Sequence, residues 1–459
     1  MRTLFDHPIG GANRRGVRVH GRIAVVLALA ACGWAVLAAA PVFAQDKPPA
    51  ELAANLRRSL PASIAKRRLE PGAQEAPSEL IKVVGGKDAR KDQFRSQAAI
   101  ILSVAAQDDP FSGYFCGGTL IAPRWVLTAA HCTYEDNPGG PGLPPVEIAA
   151  TAMNVHVGSH DFTGGERIAV QRIVRHEQYD PTGQDNDIAL LALASEPSAR
   201  ADVEMSRLVG PRNATVVAPG RRATVVGWGS TSSGVIPVAA RRTVQKLQYA
   251  DDLQVKSEED CNDHYLRERR TRATAYLKAQ GKSDTDVRTS LDKWYPLSMR
   301  LISDNMICAG IDNGSMDACF GDSGGPLHVV SGGTLQVGVV SWGPANGCGL
   351  TGLFGVYTRI SNYSDWIATQ MAQAQQAACP PQQLPNGEPA PPDWCLPGRR
   401  QQMPPIPGAP AESAPSALPA QFRVCVTARG NCAVSAVAKS GDSCWCPLPD
   451  GGAQTGSVE

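Results

Sequence analysis

With 459 residues the chain exceeds one typical domain and has enough length to bury sizeable cores. Its 44 basic and 43 acidic side chains leave a net charge of +1, so nothing in the balance points to nucleic acid or an acidic surface as partner. Thirteen cysteines are many for a protein of the reducing cytosol.

The N-terminus reads as an export signal. Arg14, Arg15, Arg18 and Arg22 precede an apolar run from Ile23 to Ala40, and Pro41-Val42-Phe43-Ala44 offers small residues for cleavage after Ala44. The run is also long enough for a retained anchor, but a cleavage site follows it directly, so removal is expected. Leu29-Ala-Ala-Cys32 resembles the bacterial lipobox, which would place a lipid on Cys32, yet the apolar run continues past that residue. The Arg14-Arg15 pair fits twin-arginine export poorly. Removal of Cys32 with the signal leaves an even number of cysteines, as suits disulfides outside the cytosol.

Gln45 to Lys82 carries Arg57-Arg58 and Lys66-Arg67-Arg68 among alanines and leucines. It reads equally as a pro-segment or as a flexible linker with a weak amphipathic helix. From Ala98 onward, short apolar runs alternate with Gly, Pro, Asn and Asp, as at Ala98 to Val104, Trp125 to Ala130, Arg167 to Val174 and Ala223 to Gly227. Regular short strands with turn signals predict an all-β sandwich or barrel. Between Cys261 and Cys308, Leu266, Ala273, Tyr276 and Leu277 suit one helix ended by Gly281. Ser283 with Asp286 three residues on opens a second, Val287, Leu291 and Trp294 share its face, and Pro296 stops it. A helical hairpin is expected there, either as a solvated decoration or as an exosite. A closing helix is expected near Tyr363, with Trp366, Ile367 and Gln370 on one face and no periodicity beyond. Thirteen prolines in residues 373–420 predict an extended linker, in which Cys379 and Cys395 could pair. Cys425, Cys432, Cys444 and Cys446 then predict a small disulfide-stapled module. The Cys444-Trp-Cys446 spacing is tight for zinc, and no histidine lies nearby.

The chemistry concentrates in Asp317-Ala-Cys-Phe-Gly-Asp-Ser323-Gly-Gly-Pro. Glycines around Ser323 let the backbone turn sharply and aim N–H groups at one point. A serine hydroxyl is a poor nucleophile until a base takes its proton, so the stretch predicts a histidine and an acid elsewhere. Thr128-Ala-Ala-His131-Cys132 and Asp187-Ile-Ala-Leu supply both. Asp185 is close by, but only Asp187 begins the second motif.

These segments, with Phe115-Cys-Gly-Gly, Gly227-Trp-Gly, Val340-Ser-Trp-Gly and Gly355-Val-Tyr-Thr, resemble the trypsin/chymotrypsin family of serine proteases from about Val83 to Gln370. The resemblance implies two antiparallel Greek-key barrels with the cleft between them; the closing helix gives a short C-terminal helix, and the helical hairpin departs from the family's pattern as an insertion in the second barrel. The resemblance also implies His131 as general base, Asp187 as its orienting acid, Ser323 as nucleophile, and the N–H groups of Gly321 and Ser323 as oxyanion hole. Ser341 matches the serine that contacts the triad acid. Trp342 and Gly343 match the edge strand that pairs with substrate, and Gly343 and Gly355 the walls of the specificity pocket. Asp317 matches the floor of that pocket, which implies Arg or Lys before the scissile bond. Ala318 replaces a common serine neighbour, which implies a preference for Arg over Lys. Three disulfides are implied: Cys116–Cys132, Cys261–Cys308 and Cys319–Cys348.

Lys82-Val83-Val84-Gly85-Gly86 resembles the family's activation site. A cut after Lys82 would free an ammonium on Val83 to pair with Asp322, and the uncut precursor is expected to hold its oxyanion loop in the wrong shape. Gly158 to Glu166 lies where some relatives bind calcium, but it is short and carries His160; no metal or other cofactor is expected. His156, His160 and His176 are expected at the surface. Asn213-Ala-Thr215 is a sequon, discounted because the signal looks bacterial.

The expected organisation is a signal peptide (1–44), a propeptide (45–82), a protease domain (83–372), a linker (373–420) and a Cys-rich module (421–459). The function implied is a secreted or periplasmic endopeptidase, made as a zymogen. It would be a monomer acting on proteins or peptides with Arg or Lys before the cut, open to protease inhibitors, without nucleic acid and without membrane insertion after signal removal. A competing reading is a non-catalytic protease-fold protein that binds through its Cys-rich module. Such proteins usually lose a triad residue, and this chain keeps all three.

Overall fold

The computed structural model describes Ala62, residues 84–140, 143–211, 214–230, 234–235, 244–344 and 347–378, and four strands between 423 and 458. The export signal, Cys32, Lys82, Val83, Asn213, Cys379 and Cys395 lie outside the described residues.

Six strands close the first barrel: β1 (Gln97–Leu102), β2 (Tyr114–Ala122), β3 (Trp125–Thr128), β4 (Met153–Val157), β5 (Glu166–Arg175) and β6 (Ala189–Leu193). They run antiparallel in the ring order β1-β2-β3-β6-β5-β4, and β4 returns to β1 with Val157 opposite Ala98. In β5, Ile168 and Val170 point into the core while Ala169 and Gln171 stay exposed, the period of two that a half-buried strand requires.

The second ring is β7 (Arg222–Gly227), β8 (Gln248–Val255), β9 (Met306–Gly310), β10 (Pro326–Val330), β11 (Thr334–Trp342) and β12 (Gly355–Arg359). Its order is β7-β8-β9-β12-β11-β10, closed by pairing of β10 with β7. This is the connection pattern of the first barrel repeated. Buried side chains of both rings join one hydrophobic cluster, to which the fully buried Ala62 also belongs.

The insertion is a helical hairpin. Helix α1 (Glu258–Ala279) starts earlier than its sequence pattern suggests: Ser257 caps it by accepting the Asp260 N–H, and Cys261 and Tyr265 are buried on its first turns. Gly281 follows it at φ 72°, where a side chain would be strained. Helix α2 (Asp284–Trp294) has the expected capping box of Ser283 and Asp286. Val287, Leu291 and Trp294 meet Leu266, Ala273 and Leu277 in a small core of the hairpin's own. Cys261–Cys308 ties its base to β9.

Helix α3 (Ser364–Ala378) runs on past Gln370, into the stretch read as the start of the linker. Its last turns are Ala and Gln, which have good intrinsic helix propensity without any apolar periodicity to reveal it. No helix among the described residues is long and apolar enough to cross a membrane. The C-terminal strands β13 (Arg423–Thr427), β14 (Gly430–Val434), β15 (Ser443–Pro447) and β16 (Ala453–Val458) form a sheet of order β14-β13-β16-β15. Its register sets Cys425 opposite Cys432.

Leu191, fully buried on β6, sits opposite Val126 and Ile173. Leu191→Ala is expected to lower stability by about 2–5 kcal/mol through lost burial and a residual cavity. Leu297→Ala, at a residue 77% exposed, is expected to stay within about 0.5 kcal/mol of the parent. Urea denaturation midpoints of the two variants check the difference.

Candidate active site

Each expected catalytic residue lies at the end or start of a barrel strand. His131 follows β3 in a short 3-10 turn, Ala130–Thr133. Asp187 precedes β6, just after Asn186, which takes a left-handed φ of 53°. Ser323 stands three residues before β10.

Asp187 is fully buried. Its Oδ1 accepts the His131 backbone N–H at 2.8 Å, and its Oδ2 lies 2.6 Å from His131 Nδ1. Ser341 Oγ on β11 donates to the same Oδ2 at 2.5 Å, and Thr358 Oγ1 on β12 donates to the Asp187 carbonyl at 2.7 Å. The imidazole is therefore held with Nδ1 toward the carboxylate, which leaves Nε2 as the atom able to take a proton from a substrate or nucleophile.

The Cys116–Cys132 disulfide ties the His131 turn to β2, and the Ser323 loop packs beside it. Gly117 N–H, next to Cys116, donates to the Ser323 carbonyl at 2.7 Å. Gly324 packs so closely against the β3 end that an added Cβ would lie 2.2 Å from Thr128 Oγ1 and 3.2 Å from Cys132 Sγ. Only glycine fits there. Cys116, His131 and Cys132 are the one trio among the described residues grouped closely enough to suggest a metal, and its two sulfurs are already bonded to each other.

Asp317 is buried. Its Oδ2 accepts the Gly349 N–H at 3.0 Å, while Oδ1 has no hydrogen-bond partner. Burial raises its pKa to about 7, against the lowering effect of the Gly349, Ala318 and Gly355 backbone N–H groups. An added Cβ on Gly355 would lie 3.1 Å from Oδ1, whereas on Gly343 it would meet nothing within 4 Å. Gly343 thus faces open space while Gly355 packs on the carboxyl, and Cys319–Cys348 ties the segment after Asp317 to the one that carries Gly349. Trp342 is buried on β11, its ring 4.9 Å from that of Tyr265. Tyr265 Oη donates to the Phe354 carbonyl at 2.5 Å, so helix α1 backs the strand that carries Ser341 and Trp342.

Asp322 is also fully buried, and burial lifts its pKa to about 6. It accepts the Gly229 N–H on Oδ1 and the Cys319 N–H on Oδ2, both at 2.8 Å. Added Cβ atoms on Gly227 and Gly229 would come within 2.1 and 2.5 Å of its side chain. This is the physical reason for the Gly-Trp-Gly motif: the two glycines form the wall of the carboxylate's cradle. Val84 is buried and pairs with Asp317 in an isolated antiparallel bridge.

The oxyanion loop is tied to its neighbours by several hydrogen bonds. Ser230 N–H donates to the Phe320 carbonyl, and Tyr114 Oη donates to the Gly321 carbonyl, each at 2.6 Å. Together with the two N–H groups on Asp322, these bonds support the loop. Sequence reading missed Tyr114, Ser230 and Thr358, whose tie to the site is a tertiary contact. It also misplaced His156, which is 5% exposed and stacked on Phe162 rather than at the surface. Burial holds the His156 pKa below the ordinary range.

A family model described as Trypsin matches residues 83–367. Trypsin-1 of Astacus astacus is 32% identical over 290 residues, covering 62% of this chain and 98% of the relative. Trypsin Blo t 3 of Blomia tropicalis is 31% identical, covering 61% and 88%. Trypsin-3 of Salmo salar is 32% identical, covering 63% and 93%.

Asp317 and Asp322 titrate above the ordinary carboxylate range near 4. The folded chain therefore keeps protons that the unfolded chain has released. Stability linked to the two groups is complete below about pH 4 and is lost as pH rises through about 6 for Asp322 and about 7 for Asp317. In uncut protein carrying Ser323→Ala to prevent self-cleavage, Asp322→Asn is expected to shrink the fall in urea midpoint between about pH 4.5 and 7.5. An unchanged slope would show that Asp322 is already neutralised.

Proposed function

The chain belongs to the trypsin family of serine proteases, and from that premise we propose an exported endopeptidase that cuts proteins and peptides after Arg or Lys. The observation that carries this reading is the buried Asp187–His131 pair beside the Ser323 loop, with the buried carboxyl of Asp317 on the segment that leads into that loop.

In the proposed mechanism Ser323 Oγ attacks the scissile carbonyl and His131 Nε2 takes its proton. Asp187 keeps the imidazole in the right tautomer and stabilises the imidazolium that forms. The Gly321 and Ser323 N–H groups receive the developing oxyanion, an arrangement worth about 3 kcal/mol of barrier per donor. His131 then delivers the proton to the leaving amine, and water repeats the sequence on the acyl-enzyme. The substrate strand pairs with the backbone at Trp342 and Gly343 by β-augmentation. Its basic side chain passes Gly343 and Gly355 to reach Asp317, the family feature that the trypsin relatives support. Metal takes no part in these steps. The exported product would work as a monomer in the periplasm or medium, open to protease inhibitors.

The proposed activation is a cut between Lys82 and Val83. A Val83 ammonium reaching Asp322 would offset the cost of ionising that buried carboxyl. Cleavage would therefore shift the oxyanion loop further toward its ordered form. Lys82 fits the enzyme's own pocket, so self-activation is consistent with the reading.

Ser323→Ala is expected to lower amide hydrolysis by about a million-fold and to abolish labelling by a fluorophosphonate. Retention of more than trace hydrolysis would remove Ser323 from the mechanism. Peptide substrates with Arg or Lys before the cut should be hydrolysed and those with Phe or Leu spared. Asp317→Ser should erase that preference, and a wild-type profile dominated by aromatic residues would defeat the assignment.

Benzamidine, an amidinium probe, tests the pocket by pH. Affinity is expected to weaken as pH falls through about 7, where free Asp317 takes up a proton. Asp317→Asn should bind weakly at every pH. Finally, Lys82→Gln precursor should be far less active than cleaved wild type and should not respond to an added trypsin-like activator; full activity of the uncut variant would make residues 1–82 a mere leader.

A further inference from the structure

The two peptide groups that flank Gly321 are each held by their carbonyl oxygen. In the Phe320–Gly321 peptide the carbonyl accepts from Ser230 N–H at 2.6 Å. In a trans peptide the C=O and N–H point in opposite directions, so this bond turns the Gly321 N–H away from Ser230. In the next peptide the Gly321 carbonyl accepts from Tyr114 Oη, also at 2.6 Å. Gly321 itself lies at φ 105° and has no side chain to resist rotation. Its orientation must come from outside.

We propose that Tyr114 is a positioning residue for the oxyanion hole: its hydroxyl fixes the peptide that follows Gly321 and so limits rotation about Gly321, whose own N–H lies in the preceding peptide held by Ser230. The inference rests on the reading of Gly321 and Ser323 as the oxyanion donors. Tyr114 belongs to β2 of the first barrel, and Gly321 lies 207 residues away in the loop before β10. The hydroxyl therefore transmits the position of one barrel to the donor carried by the other.

The ring is suited to that task because it has little freedom. Tyr114 is fully buried, stacked on Phe111 at 6.3 Å and met edge-on by Phe162 and Trp228, both at 5.7 Å. Trp228 is flanked by the two glycines that cradle Asp322, so one aromatic cluster supports both sides of the loop. Phe162 keeps its place in the cluster at a left-handed φ of 60°, a conformation that a bulky residue adopts only under tertiary constraint. Its loop is further tied to the second barrel, since the His160 carbonyl accepts from Trp228 Nε1 and from Leu247 N–H.

A structural reading of the same contact is that a buried tyrosine hydroxyl needs some acceptor and finds Gly321. The two readings differ in what loss of the hydroxyl does. The experiment uses full chain cut after Lys82. Tyr114→Phe keeps the ring, and Phe111→Leu loosens the cluster while leaving the hydroxyl. For each protein, kcat and KM on an Arg peptide amide, the inhibition constant of benzamidine, the affinity of a peptide boronate and the Tm are measured.

Tyr114→Phe is expected to lower kcat about tenfold or more, less than the hundred- to thousand-fold that follows loss of a donor itself. Boronate affinity should fall in step, because the tetrahedral adduct places its oxygen in the hole. Benzamidine binding should stay within about twofold, since the specificity pocket does not use this contact. Phe111→Leu should lower Tm and lower kcat less than Tyr114→Phe does. Unchanged kcat in Tyr114→Phe, or equal losses of kcat and benzamidine affinity, would overturn the proposal. A wild-type protein that is neither active nor labelled at Ser323 would instead defeat the protease reading itself, and this inference with it.

Discussion

The buried carboxylate of Asp187 sits where two barrels meet and accepts hydrogen bonds from both. His131 donates from the first barrel through its backbone, and its ring nitrogen lies against the second oxygen. Ser341 donates from the second barrel. A charge removed from water is tolerated only when its lone pairs are satisfied. Neither barrel alone satisfies this one. The requirement therefore fixes the relative placement of the two rings as well as the tautomer of the histidine.

The other two buried carboxyls are treated differently. Asp322 has two backbone donors and a cradle in which a methyl group on either wall glycine would collide with it. Asp317 has one backbone hydrogen bond, on Oδ2, and a buried Oδ1 left without one. Burial raises the pKa of both. The three acids form a series, from one with donors from both barrels to one with a buried oxygen left without a hydrogen-bond partner. Their chemistry differs because their surroundings differ, although the side chain is the same.

Much of this was legible in the sequence, because glycines and short polar motifs mark places where backbone geometry is constrained. The helical hairpin could be read from its caps and apolar spacing, and the barrel strands from short apolar runs between turn residues. The tie from Tyr114 to Gly321 left no local mark, since a tyrosine opening a strand looks like any core residue. His156 was misread for the converse reason: a polar ring in a loop-rich stretch suggests solvent, and only the fold brings Phe162 over it. The end of α3 escaped because propensity, not periodicity, extends it. What the sequence hides is contact between distant segments that carry no special residue type.

The repeated ring order of the two barrels has a kinetic consequence. Strands in each ring pair with one another, so each barrel can complete its hydrogen-bonded network without its twin. Units of this kind generally fold separately and dock afterwards. His131 and Asp187 are then in place when the first barrel closes, but Ser341, the Ser323 loop and the acceptor of the Tyr114 hydroxyl arrive only on docking. The proposed active site is therefore complete only where both barrels have come together.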